Sequence, residues 1–120
     1  FDVYELESLP KVDILQDFAG LDEDLVQLFL KRPADGLVIS SFAGGRMSAA
    51  ASTVYQLRNP HRPIVIASSV KAGRTYGRNQ ANSPIIFAPD LPANKSRILL
   101  MLALTKTDDP ASIQTFFEAY

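Results

Sequence analysis

Residues 36–42 read GLVISSF, and the fold turns on how that run is taken. Its apolar residues are consecutive, and Val and Ile favour strands. A consecutive apolar run of this length suits a strand covered on both faces, as in a parallel sheet. Two further runs have the same character, PIVIAS (63–68) and PIIFA (84–88). A fourth, KVDIL (11–15), is interrupted by an aspartate.

Helical patterns lie between and after these runs. Asp22 is placed to cap a helix with Glu23 and Asp24 in its first turn and Lys31 and Arg32 in its last. Those charges complement the helix dipole at both ends. Leu25, Val26, Leu28 and Phe29 form its apolar stripe, and Pro33 blocks continuation. Ser48 is placed to cap a second helix reaching to about Arg58, with Ala51, Val54, Tyr55 and Leu57 facing inward. A third helix is expected from about Pro92 to Lys106. Its segment RILLMLALT is apolar nearly all round, which predicts a helix that is heavily buried, or buried partly by another chain. Asp109 and Pro110 open a fourth helix, on which Ile113, Phe116, Phe117 and Tyr120 share one face.

The order β-α-β-α-β-loop-β-α-α predicts an α/β fold. It is a small three-layer αβα domain whose parallel sheet has about four strands, Rossmann-like or flavodoxin-like in kind. A chain of 120 residues implies one domain. The stretch FDVYELESLP at its start reads as the end of an inter-domain linker over residues 1–10, with the domain over 11–120. Such a start suggests a piece of a longer protein.

Composition narrows function. With 12 basic and 13 acidic side chains the formal net charge is −1, which argues against a nucleic-acid partner. No apolar run reaches the ~18 residues of a membrane span, so no membrane partner is expected. The chain has no cysteine and one histidine, which removes thiolate chemistry and a histidine-rich metal site. No cofactor is expected. The compartment stays open, cytoplasmic or periplasmic.

Parallel sheets bind ligands at the carboxyl ends of their strands. The turn SSFAGGR (40–46) lies there. Its adjacent glycines do not fit the phosphate-cradling spacings. Two readings stay open: a tight turn needing positive φ, or a loop whose backbone and Arg46 face a ligand or a neighbouring subunit. The long connection 69–83, SVKAGRTYGRNQANS, is either a solvated loop or a surface for substrate or partner. His61, in NPHRP, falls at the amino end of the next strand, away from Ser40, Ser41, Ser48, Ser68 and Ser69. A nucleophile–base pair within these residues is therefore not expected. The acidic groups Asp22–Asp24 and Asp108–Asp109 read as helix caps.

The closing segment KSRILLMLALTKTDDPASIQTFFEAY (95–120), with LPKVDILQDFAG (9–20), DGLVISSFAGGR (35–46) and IASSVKAGR (66–74), resembles the carboxy-terminal domain of the bacterial L-asparaginase/glutaminase family. The resemblance covers essentially the whole chain. It implies a two-domain amidohydrolase whose amino-terminal domain carries a threonine nucleophile in a Thr-Gly-Gly-Thr turn, absent here. It also implies a homo-oligomer in which this domain completes the neighbouring subunit's site for an amide of the L-asparagine class. On that resemblance the substrate-facing residues are Ser41, Gly44, Gly45, Arg46, Tyr76 and Gln80, and none of them is catalytic. Two segments depart from the family pattern. Its turn commonly reads Gly-x-Gly-Asn-Gly-Asn, and the two Asn positions fall on Gly44 and Arg46. Its loop often supplies a glutamate, whereas residues 68–89 here contain no acid. Two alternatives accompany this reading: a non-catalytic oligomerisation or ligand-sensing domain, and the ammonia-generating subunit of a tRNA-dependent amidotransferase.

Overall fold

The structure is a computed structural model that describes residues 8–42, 46–58, 61–68 and 82–120. Four strands form one parallel sheet in the order β1-β2-β3-β4: β1 (Val12–Gln16), β2 (Gly36–Ser41), β3 (Ile64–Ser68) and β4 (Ile85–Phe87). The order follows the sequence without reversal, so these strands contain no switch point.

Alternation along each strand divides the core in two. Leu37, Ile39, Ile64, Ile66, Ile85 and Phe87 face one side. There they meet Val26 of α1 (Glu23–Lys31), Ala51 of α2 (Ala49–Ser52) and Val54. Val38, Val65, Ala67, Ile86 and Val12 face the other side. There they meet Leu99, Leu100 and Ala103 of α3 (Ala93–Ala103), and Ile113 and Phe117 of α4 (Pro110–Ala119). The result is the expected three-layer αβα arrangement. Every residue of β2 and β3 is buried, which is why their sequences read as nearly continuous apolar runs, with serines only at their carboxyl ends. β1 is an edge strand and is less covered: Val12 and Leu15 are buried on opposite faces, while Ile14 is exposed.

The helix caps fall where the residue types place them. The side chains of Asp22, Ser48 and Asp109 accept from the backbone N–H groups of Asp24, Ala51 and Ser112. Arg62, just before β3, closes the other end of α1. Its guanidinium donates to the carbonyl oxygens of Leu30, Arg32 and Ala34, satisfying groups that the helix cannot pair itself.

Four expectations are corrected. The second helix does not run on to about Arg58: α2 ends at Ser52 and tightens into a 3₁₀ turn over Thr53–Gln56. Ser52 and Thr53 bond their hydroxyls back to the carbonyls of Ser48 and Ala50, and a β-branched and aromatic run follows. Both features weaken α-helical continuation. The third helix is not buried all round, because Ile98 is 56% exposed. On α1, Leu28 faces solvent and Val26 carries the buried stripe. On α4, Tyr120 is exposed beyond the helix end, and Gln114 is buried instead.

Candidate functional site

The carboxyl ends of β1, β2 and β3 carry a cluster of buried polar groups. Ser40, Ser41, Ser68 and Asp17 are each at most 4% exposed. The β1–β2 ladder extends one residue past β1, with Asp17 N–H donating to the Ser40 carbonyl at 2.9 Å. The Ser41 hydroxyl donates to the Ala67 carbonyl at 2.8 Å, with Phe42 O at 3.1 Å. Its side chain is fully enclosed, so Ser41 ties the end of β2 to β3.

Past β2 the chain leads on to α2, and its flanks at Phe42 and Arg46–Ser48 are described. Phe42 N–H donates to the Arg46 carbonyl at 2.8 Å and closes the turn. Its exit is clamped to β1: Ser48 N–H and Ser48 Oγ both donate to the Asp17 carboxylate, at 2.7 Å each. Asp17 also accepts from Phe18 N–H at 2.9 Å. The Arg46 side chain is exposed. Gly44, Gly45, Tyr76 and Gln80 lie outside the described residues, as does the 69–81 part of the long loop. Sequence reading assigned Asp17 no role, because its partner Ser48 is 31 residues away.

The only histidine stands at the other end of the sheet. His61 is exposed, three residues before Ile64, while Ser68 closes β3. The strand alone separates these ends by about 13 Å at the usual rise per residue. A serine–histidine pair does not form among the described residues. A groove of ≈ 820 Å³ opens at that amino-terminal end, lined in part by Asp35, His61, Arg62, Asp108 and Asp109. Three of these side chains are already engaged in holding the fold. Asp35 accepts from Lys11 N–H, Asp109 caps α4, and Arg62 closes α1. Among the described residues no group of three His, Cys, Asp or Glu side chains is placed to hold a metal ion. No helix among them is long and apolar enough to cross a membrane.

Comparison with known proteins fixes the lineage. The family model described as the glutaminase/asparaginase C-terminal domain matches residues 11–117. The chain belongs to this family. The asparaginase C-terminal domain is 32% identical to L-asparaginase 2 of Bacillus subtilis (strain 168), covering 100% of this chain and 32% of that protein. It is 30% identical to L-asparaginase 2 of Escherichia coli (strain K12), covering 100% of this chain and 36% of that one. Its fold superposes on the crystal structure of a probable cytoplasmic L-asparaginase from Campylobacter jejuni with a TM-score of 0.87 and 35% identity. That match covers 100% of this chain and 38% of the other. The asparaginase C-terminal domain thus spans about a third of the length of these curated relatives.

Proposed function

We propose that this domain is one part of an L-asparaginase-like amidohydrolase that converts L-asparagine and water to L-aspartate and ammonia. The amino-terminal domain of the same chain supplies the threonine nucleophile, and residues 1–10 are the end of the linker to it. The present domain contributes dimerisation and one wall of a neighbouring subunit's active site in a homo-oligomer. Gly44, Gly45, Arg46, Tyr76 and Gln80 form that wall, with Ser41 beneath it. The reaction as proposed needs no cofactor: water attacks an acyl group held on threonine, and ammonia leaves in the preceding step.

The observation that carries this reading is the clamped turn at the carboxyl end of the sheet. Its described flanks, Phe42 and Arg46–Ser48, are both held, in a chain of asparaginase lineage with no nucleophile–base pair among its described residues. Rigid support is what a wall lent to another subunit requires, since positioning governs catalytic efficiency.

Cross-subunit complementation tests the proposal. One full-length variant lacks the threonine nucleophile, and a second has residues 43–45 deleted. Each alone is expected to be inactive, and co-refolding the two restores ammonia release from hybrid sites. Wild-type activity in the deletion variant, or no recovery on mixing, would contradict it.

A second reading is favoured by one residue. Arg46 stands where the family pattern has asparagine, and a guanidinium is a larger, permanently charged donor. A non-catalytic ligand-sensing or assembly role follows if that change abolishes turnover.

A further inference from the structure

We propose that Asp17 is a positioning residue for the amide-hydrolysing site, acting through Ser48 on the limb that carries Arg46; the assignment rests on the function proposed above. Asp17 is 2% exposed, and its carboxylate receives three hydrogen bonds: Phe18 N–H at 2.9 Å, Ser48 N–H at 2.7 Å and Ser48 Oγ at 2.7 Å. Burying a carboxylate is costly unless each oxygen is well paired. Capping α2 does not require this cost, because Ser48 Oγ already accepts from Ala51 N–H at 3.2 Å. What the buried carboxylate adds is a fixed distance between the end of β1 and the exit of the turn.

Each limb of the turn has its own anchor. The entering limb continues β2, which is locked to β1 by Asp17 N–H on Ser40 O and to β3 by Ser41 Oγ on Ala67 O. The leaving limb is held by the Asp17 carboxylate through Ser48. Between them the Phe42–Arg46 backbone bond closes the loop. One residue, Asp17, therefore touches both limbs, by its backbone and by its side chain. Loosening the carboxylate clamp frees the limb that carries Arg46 while leaving the sheet ladder intact.

Asp17→Asn tests this in the full-length protein. The amide nearly preserves shape, but it presents an N–H₂ donor to groups that are themselves donors. The measurement is steady-state ammonia release on L-asparagine, with melting followed by circular dichroism. The expected result is a KM raised about tenfold or more, beyond anything a smaller folded fraction produces, since displaced positioning groups carry effects of this order. Ser48→Ala removes the hydroxyl bond and keeps the backbone one, so it gives a smaller rise in the same parameter. The double variant is expected to match Asp17→Asn alone, because both changes act on one clamp. Unchanged KM and kcat in Asp17→Asn, with only the melting temperature lowered, would overturn the assignment and leave the proposed function standing. Should Asp17→Asn not fold, unchanged KM in Ser48→Ala overturns it. No turnover by the folded wild-type protein overturns the proposed function and this assignment with it.

Discussion

Gln114 of α4 holds Phe87 of β4 by both of that residue's backbone polar groups. Phe87 N–H donates to Gln114 Oε1 at 2.8 Å, and Gln114 Nε2 donates to the Phe87 carbonyl at 2.8 Å. A side-chain amide thus stands where a fifth strand's peptide would pair. The opposite edge is treated likewise: Arg97 Nε of α3 donates to the Val12 carbonyl of β1 at 2.8 Å. Exposed strand edges invite pairing with other chains, and side chains from α3 and α4 engage both edges of this sheet.

Gln114→Ala leaves the buried N–H and C=O of Phe87 without these partners. A loss of about 1–3 kcal/mol in unfolding free energy is expected, the usual cost of orphaned buried groups. Urea unfolding checks it. The midpoint falls while the slope holds, because the surface exposed on unfolding is unchanged.

Arg62→Ala removes the donor that serves the carbonyls of Leu30, Arg32 and Ala34. The end of α1 then relies on water, and stability is expected to fall by about 1–2 kcal/mol. Hydrogen exchange of the amides in the last turn of α1 should accelerate more than exchange in β2.

Tyr55 lies over Phe87, their ring centroids 6.4 Å apart. Its partial burial, with 38% of the residue still exposed, raises its phenol above the ordinary value of about 10, because the phenolate is the less well solvated form. The folded state therefore holds this proton more tightly than the unfolded chain. That contribution is fully present below about pH 10 and is lost as pH rises through the folded value. Unfolding free energies measured across the alkaline range should fall more steeply with pH in the wild type than in Tyr55→Phe.

Ile98, 56% exposed on α3, is a contact candidate for the proposed homo-oligomer. Ile98→Glu is expected to shift sedimentation velocity profiles toward the monomer and to leave the circular dichroism spectrum unchanged. Identical profiles for both proteins would remove α3 from the interface.

Much of this architecture is legible in the chain. The nearly continuous runs of β2 and β3 announce a sheet covered twice, and Asp22, Ser48 and Asp109 cap the helices that their positions suggest. What escapes the sequence is long-range pairing of polar groups. Asp17 and Ser48 are 31 residues apart, and Gln114 and Phe87 are 27 apart, with no local pattern linking either pair. Apolar periodicity also overstates burial. Leu28, Ile98 and Tyr120 fit their helical patterns yet are 61%, 56% and 66% exposed. A stripe marks which residues are apolar, and packing decides which are covered. Of the expected site residues, the described ones separate by depth: Ser41 lies in the floor and Arg46 at the surface.

In the proposed function this domain completes an amide-hydrolysing site and supplies no catalytic group of its own. Ammonia release from L-asparagine and L-glutamine, measured in parallel on residues 1–120 and on the full-length protein, tests it most directly. The account predicts no release above the blank from residues 1–120 and turnover of L-asparagine by the full-length protein. Release by residues 1–120, or a folded full-length protein inert toward both amides, would contradict it.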